Sequence, residues 1–133
     1  MKVWKILTNL TVEESENINE IFNEDEGDII RKLDRDNEIY SWDFIDGDVF
    51  IPYLICTETV IDILVEITVQ HGYLIEAIDI THDFLLGQYE IPDSDFEDYR
   101  LNNLTEDMVY DKIKKFGSVS LDGLDKKILD LSI

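Results

Sequence analysis

The sequence contains 133 residues, of which 44% are hydrophobic and 11% aromatic, and its formal net charge is −20 at pH 7. This length and apolar content predict one globular domain over residues 1–133 and argue against a disordered chain. The acidity argues against direct binding to nucleic acid or to an anionic membrane, because proteins neutralise phosphate groups with Lys and Arg. No apolar stretch is long enough to cross a bilayer and no signal peptide is evident, so we expect a cytoplasmic protein.

The negative charge is concentrated in the middle of the chain. No Lys or Arg occurs between Arg35 and Arg100, whereas this segment contains 16 Asp or Glu residues. Local ion pairs cannot neutralise such a block. Its field opposes compaction and favours encounter with basic partners, and it exceeds the net charge of about 2–8 that keeps a small domain soluble. The alternative reading is an acidic surface that only interacts with solvent.

The first predicted elements are a strand over residues 2–8 and a helix that begins at Thr11. Thr11 and Glu14 have the spacing of a capping box, in which each side chain satisfies a backbone amide of the other residue. We expect the acidic run over residues 24–28 to end this helix, and residues 28–37 fit a short helix or a loop equally well. The predicted buried positions of the helix are Val12, Ile18, Ile21 and Phe22.

A hairpin is predicted around Asp46-Gly47, a dipeptide that favours two-residue turns. This turn would pair Phe44 with Val49, Trp42 with Ile51 and Tyr40 with Tyr53. One face of the hairpin would then be apolar and aromatic. Pro52 cannot donate a hydrogen bond to a neighbouring strand, which indicates an edge position or a bulge.

Residues 58–71 are predicted to form a helix that is buried except along one acidic line. The polar residues recur at every fourth position, which is the helical spacing, and Gly72 can end the helix. Residues 73–81 then read as a strand, so that residues 48–81 form a βαβ unit or a split version of one. The polar line consists of Glu58, Asp62, Glu66 and Gln70.

The last third of the chain is predicted to contain an acidic loop, a helix and a strand. The loop covers residues 88–99, the helix runs from about Thr105 to Phe116 with Gly117 after it, and residues 128–133 could form a final strand. Together the elements predict an α+β fold. It would have one mixed or antiparallel sheet of about five strands, with about three helices packed mainly on one face.

Motifs for catalysis, metals and cofactors are missing from the sequence. Cys56 lies in an apolar run, where cysteines are usually inert, and neither His71 nor His82 stands at a spacing that would activate it. The segment Asp93-x-Asp95-x-Glu97 resembles the start of a calcium loop, but the glycine and the final glutamate that such a loop needs are absent. We therefore expect no catalytic residues, no dedicated metal site, no cofactor and no enzymatic activity.

Recognition of a protein is the remaining possibility. Interfaces favour aromatic anchors, and carboxylates beside them would bind Lys and Arg of a partner. The alternative is that the aromatic residues hold their segment to the core. The candidate residues lie in two segments: Asp93, Asp95, Phe96, Glu97, Asp98 and Tyr99, together with Asp43, Asp46 and Asp48.

In size and sign of charge, the chain resembles the small acidic immunity proteins of bacterial toxin–immunity systems, including contact-dependent inhibition. This resemblance implies an inhibitor that blocks a basic partner, such as the nuclease domain of a toxin. Two other functions fit the composition. One is a nucleic-acid mimic that occupies a DNA-binding protein, and the other is an acid-surfaced enzyme or small-ligand domain with a pocket at His71 or His82.

Overall fold

The chain folds into four strands and seven α-helices in the computed structural model, which describes residues 1–16, 23–35 and 39–131. It forms two compact units, a sheet unit at Met1–Ile80 and a helical unit at Thr81–Ile133. The sheet unit contains β1 (Lys2–Thr8), α1 (Val12–Glu16), α2 (Glu24–Arg35), β2 (Tyr40–Asp46), β3 (Val49–Cys56), α3 (Glu58–Gln70) and β4 (Ile75–Asp79). The helical unit contains α4 (Thr81–Leu85), α5 (Ser94–Asn103), α6 (Glu106–Phe116), a 3-10 turn at Ser118–Ser120 and α7 (Gly123–Leu131).

The predicted fold class is confirmed, whereas the predicted numbers of elements are wrong. The sheet is antiparallel, with the strand order β2-β3-β1-β4, and the described residues contain four strands instead of five and seven α-helices instead of three. Every helix in this part of the chain is too short or too polar to cross a lipid bilayer. That residues 1–133 make a single domain stays a prediction.

The β2–β3 hairpin forms, but with a different turn from the predicted one. Its turn is Gly47-Asp48, so that Trp42 pairs with Tyr53 and Phe44 with Ile51. In a two-residue hairpin the residues beside the turn exchange both hydrogen bonds, and hydrogen-bonded and non-hydrogen-bonded pairs alternate from there. The predicted Asp46-Gly47 turn would put Pro52 in a hydrogen-bonded pair, which it cannot complete. The observed turn puts it opposite Asp43 in a non-hydrogen-bonded pair.

The position of Pro52 also explains where β3 separates from β1. These two strands pair only from Lys2–Cys56 to Lys5–Tyr53. In the observed register the nitrogen of Pro52 points towards β1, and because it carries no hydrogen it cannot extend the ladder. Pro52 thus lies in an interior strand, just beyond the end of the β1 ladder, and not at an outer edge of the sheet.

Helix α3 packs on one face of the sheet and completes a split βαβ unit. Strands β3 and β4 are both antiparallel to β1, which lies between them, so they run parallel to each other. Thr57 caps the helix by accepting a hydrogen bond from the Val60 backbone N–H at 3.3 Å, and Gly72 after the helix has φ +83°. The core between helix and sheet consists of Trp4, Ile6, Cys56, Val60 and Ile61. The four residues of the predicted polar line are all exposed.

Two capping boxes begin the helices α1 and α2. The predicted one at Thr11 and Glu14 is confirmed, with both reciprocal hydrogen bonds at 3.1 Å. A second one joins Asn23 and Glu26 at 2.9 and 3.0 Å. The acidic run over residues 24–28 therefore starts the helix α2, and the predicted end of the helix before it lies outside the described residues. Carboxylates suit the positive end of the helix dipole. The predicted positions Ile18, Ile21 and Phe22 lie outside the described residues.

In the helical unit, one prediction is confirmed and two differ from the structure. The predicted helix near residues 105–116 is confirmed as α6, with Thr105 as its N-cap and Gly117 as its C-cap. The predicted acidic loop is a loop only up to Asp93, after which α5 begins. The predicted C-terminal strand is wrong, because Gly123–Leu131 is the helix α7. Leu85, Leu104 and Val109 form the core of this unit, with Leu121, Leu124, Ile128 and Leu129 packed against it.

Candidate functional site

The nine residues predicted to bind a partner fall into two groups, one in each unit. Asp43, Asp46 and Asp48 lie in the β2–β3 hairpin of the sheet unit, and the other six lie at the start of α5 in the helical unit. Each group has its own geometry.

The acidic residues of α5 divide into one structural carboxylate and three exposed ones. Asp93 is the N-cap, and its Oδ1 accepts hydrogen bonds from the backbone N–H groups of Asp95 and Phe96 at 3.0 and 3.3 Å. This cap stabilises the helix by about 1 kcal/mol. Asp95, Glu97 and Asp98 are exposed and take part in no ion pair in the described part of the chain. They form the acidic surface of α5.

Phe96 belongs to the core, contrary to the prediction that it contacts a partner. It is 0% exposed, and its ring meets that of Phe84 edge to face with 6.0 Å between the centroids. Tyr99 is half-buried and packs against the same Phe84 and the core of the unit. Both aromatic residues hold α5 in place, and of the six residues predicted in this segment Asp95, Glu97 and Asp98 are the exposed ones.

In the hairpin, the three carboxylates do not share one face. Successive strand residues point to opposite sides, so Asp43 lies on the face that carries α3, and Asp46 lies on the other face, opposite Val49. Asp48 is in the turn. Although much of Asp43 is exposed, burial of its carboxyl by neighbouring groups raises its pKa above the ordinary value. No described cation compensates this desolvation.

A partly buried ion-pair network joins α5, α6 and the start of α7 in the helical unit. The Arg100 guanidinium contacts Asp122 Oδ2 at 2.7 Å and Asp125 Oδ1 at 3.2 Å, and its Nε donates to the Leu85 carbonyl at 3.0 Å. Lys112 Nζ lies 2.5 Å from Asp125 Oδ2. The two carboxylates balance the two cations, and every buried side-chain nitrogen and oxygen of the described residues has a hydrogen-bond partner.

The two aspartates of the network also cap helix α7. Asp122 accepts a hydrogen bond from the Asp125 backbone N–H at 2.9 Å, and Asp125 accepts one from the Asp122 N–H at 3.0 Å. Burial disfavours the charged form of Asp122, but these hydrogen bonds and the Arg100 charge outweigh it and hold its pKa below the ordinary value. The network therefore fixes the start of α7 and ties it to α5 and α6.

The network lies so close to residue 87 that glycine is needed there to leave room for it. Gly87 has φ +80°, and a Cβ atom at this position would lie 2.8 Å from Asp122 Oδ2 and 3.0 Å from Arg100 Nη2. Both the positive φ and the lack of space favour glycine.

The ion-pair network affects which carboxylates of the chain are neutralised. Arg100 and Lys112 are the only Lys or Arg residues between positions 36 and 113. Because both are committed to Asp122 and Asp125, neither neutralises the exposed carboxylates of α5. The pairing of Lys112 with Asp125 was not predicted from the sequence. The spacing of Asp122 and Asp125 as a capping box was the available sign of α7.

A second acidic surface lies on α3 in the sheet unit. Glu58, Asp62 and Glu66 are spaced four residues apart, which corresponds to about 6 Å of helix rise per step. Lys2 Nζ lies 3.6 Å from Glu58 and from Asp79, so one end of this line is partly neutralised.

The two histidines have different surroundings. His71 Nε2 lies 2.6 Å from Glu26 Oε1, which joins the end of α3 to α2 within the sheet unit. His82 lines a cavity of about 410 Å³ in the helical unit, together with Asp83, Leu86, Gln88, Tyr89, Lys115 and Phe116. This cavity is open to solvent on one side, and its lining combines polar and aromatic groups.

Cys56 is fully buried, and burial raises its pKa to about 11, which suits an inert core thiol. Within residues 1–16, 23–35 and 39–131, no three His, Cys, Asp or Glu side chains are grouped so that they could hold a metal ion.

No family model, curated protein or solved structure matches this chain.

Proposed function

We propose that this protein is an inhibitor that binds a basic protein through its exposed carboxylates and blocks the surface that the partner uses. The observation that carries the proposal is that Arg100 and Lys112 are both held in ion pairs with the half-exposed Asp122 and the buried Asp125. This leaves Asp95, Glu97 and Asp98 exposed without an ion-pair partner among the described residues.

A nuclease is the partner that fits this surface best. Nucleases bind phosphate groups with clustered Lys and Arg, so an acidic protein can fill the same groove and exclude the substrate. The attraction between the two surfaces also accelerates association, up to about 10⁸–10⁹ M⁻¹s⁻¹ at low salt. In this proposal the protein is the immunity partner of a nuclease toxin, acts by occupying its target and catalyses no reaction.

The test is to identify the partner and to measure inhibition. The tagged protein is mixed at low salt with its native lysate and with the products of neighbouring genes, and bound proteins are released by raising the salt. We expect one basic protein in equimolar amount whose nuclease activity is lost in the complex. A captured protein without such activity, or a nuclease that stays active in the complex, would contradict the proposal.

The acidic surface of α5 is tested with one charge reversal. Asp95→Lys should slow association with the captured nuclease by about tenfold at low salt, and the difference should shrink as salt rises. Asp111→Lys is the control, because Asp111 is an exposed acid on α6 in the same unit. Equal effects of the two variants would mean that net charge matters and that the α5 surface does not.

Two alternative functions are each favoured by one observation. The line of carboxylates on α3 fits a nucleic-acid mimic, in which case the captured protein would bind DNA and the complex would lose that binding. The cavity at His82 fits a small-ligand or enzyme domain. Then a small molecule would co-purify with the protein and be lost in a variant with the cavity filled, such as Gln88→Trp, whose position is exposed.

A further inference from the structure

Among the described residues, strand β2 has an open outer edge. The sheet order places β2 at one end, and none of the described strands pairs with its other side. No backbone hydrogen bond of residues 40–46 is found outside the β2–β3 ladder in the described part of the chain. In the observed register, the residues in non-hydrogen-bonded pairs direct their N–H and C=O groups away from β3. These residues are Ser41, Asp43 and Ile45.

Apart from its carboxylates, this edge lacks the features that normally prevent pairing with another chain. Edge strands are usually protected by Lys, by Pro, by a bulge or by shortness. β2 has seven residues that pair continuously with β3, and its sequence Tyr-Ser-Trp-Asp-Phe-Ile-Asp contains neither Lys nor Pro. Phe44 is 40% exposed and Ile45 is 53% exposed. The edge therefore offers both backbone hydrogen bonds and apolar contacts.

Its carboxylates determine which chain can pair there. Asp43 and Asp46 face no described Lys or Arg, and a second copy of β2 would bring its own carboxylates next to them. Like charges on neighbouring strands destabilise pairing, whereas Lys or Arg on the incoming strand stabilises it. The raised pKa of Asp43, which reflects an uncompensated desolvated carboxyl, fits the same preference.

The opposite edge of the sheet is a weaker candidate. β4 has only five residues, and Lys2 Nζ already lies 3.6 Å from the carboxylate of Asp79. A basic strand would gain less from an acid that has a cation beside it.

We propose that the outer edge of β2 binds an extended segment of a basic protein, which joins the sheet as a fifth strand. The proposal rests on the proposed inhibitory function and specifies how the partner is held. In the partner segment, Lys or Arg would lie beside Asp43 on one face, and apolar side chains would lie beside Trp42 and Phe44 on the other.

The probe is a capped eight-residue peptide that alternates Lys or Arg with Val or Ile. One control peptide has the same sequence with N-methyl groups on the amides that face the protein, which removes its hydrogen bonds but keeps its charge. The other control replaces every Lys and Arg with Glu. We expect measurable binding of the probe and at least tenfold weaker binding of both controls.

A proline substitution tests the edge in the protein itself. Ser41→Pro removes an outward N–H but leaves the ladder to β3, and the residue before it, Tyr40, is already extended as a pre-proline residue requires. We expect it to weaken probe binding about tenfold with an unchanged circular dichroism spectrum, whereas Ser41→Ala binds like the wild type. Asp43→Lys should weaken binding, and Asp62→Lys on α3 of the same unit should not.

Amide hydrogen exchange distinguishes strand addition from a contact made by charge alone. The amides of Ser41, Asp43 and Ile45 should exchange fast in the free protein and be protected when the probe is bound. Binding without protection of these amides would overturn the proposal, and so would equal binding of the N-methylated peptide. Dimerisation of the protein without peptide, abolished by Ser41→Pro, would make a second copy the occupant and also overturn it.

The same variant separates this inference from the proposed function. If Ser41→Pro still inhibits the captured nuclease with the wild-type affinity while Asp95→Lys does not, the edge proposal fails and the inhibitory function stands. If no inhibited basic partner exists but the probe binds as expected, the edge is a binding site and the proposed function fails.

Discussion

Lys112 Nζ and Asp125 Oδ2 lie 2.5 Å apart, and the two side chains are 4% and 0% exposed. In the interior, a charge without a partner costs several kcal/mol, so the two residues depend on each other and on Arg100. Because of this ion pair, we expect single substitutions to destabilise the helical unit. The pair also keeps Lys112 from neutralising the exposed carboxylates on the surface of the unit.

The first prediction concerns Asp125. Asp125→Asn keeps the shape of the side chain but removes its charge, which leaves Lys112 and Arg100 in the interior with only Asp122 to balance them. We expect a loss of about 3–5 kcal/mol in the free energy of unfolding, measured by urea denaturation. The control Asp111→Asn, at an exposed position, should change it by less than about 0.5 kcal/mol. A small effect of Asp125→Asn would show that the network tolerates an uncompensated charge.

The second prediction concerns the contact between Gly87 and the network. Gly87→Ala should destabilise the protein for two reasons, the positive φ and the approach of the new Cβ to Asp122 Oδ2 at 2.8 Å. Asp122→Ala removes the second reason only. In a double-mutant cycle, Gly87→Ala should therefore cost about 0.5–3 kcal/mol less in the Asp122→Ala background than in the wild type. An additive cycle would mean that the backbone angle and the approach to Arg100 Nη2, and not the approach to Asp122, account for the effect.

The third prediction concerns two carboxylates that hold the turn after α3. The pKa of Glu14 is lowered by its hydrogen bond from Tyr73, and that of Glu26 by hydrogen bonds from the Asn23 backbone and then from His71. Tyr73→Phe should raise the pKa of Glu14 only, and His71→Ala that of Glu26 only. NMR titration of the two carboxyl groups measures both, and each serves as the control for the other.

The same carboxylates contribute to the pH dependence of stability with a definite sign. Their folded pKa values lie below the ordinary value of 4.5, so the contribution is present above pH 4.5 and is lost as pH falls through the folded values. The wild type should therefore lose more stability than the double variant Tyr73→Phe/His71→Ala between pH 5 and pH 3. Parallel stability curves would contradict this.

The fourth prediction concerns the thiol of Cys56. Because burial raises its pKa to about 11, only about one thiol in a thousand is ionised at pH 8, and the side chain is also closed to solvent. We expect reaction with a thiol-specific disulfide reagent at pH 8 to be at least about 100-fold slower in the native protein than in guanidinium chloride. Fast reaction in the native state would indicate local opening of the core beside α3.

Much of the fold was predictable because it depends on local patterns. The strand at residues 2–8, the helix with its exposed line from Glu58 to Gln70, and the helix between Thr105 and Gly117 all follow from periodicity and capping residues. Apolar alternation failed at residues 128–131, where the capping box of Asp122 and Asp125 outweighs it and a helix forms.

The candidate site was predictable in its charge but not in its geometry. Acidic residues of α5 were recognised from the sequence, yet nothing local shows that Phe96 points inward or that Arg100 turns towards residues more than 20 positions away. Such pairing depends on tertiary contacts. The same holds for the open edge of β2, which exists because of the strand order and not because of the strand itself.

Pro52 has a consequence for how the hairpin reaches its final form during folding. The segment Asp46-Gly47-Asp48 offers two turns whose registers place the same side chains on the same faces, so hydrophobic burial hardly distinguishes them. Pro52 distinguishes them, since one register requires an amide hydrogen that it lacks. Replacing it with Val would restore that hydrogen and let both registers form during refolding. Pro52 thus disfavours the mispaired register while the hairpin forms.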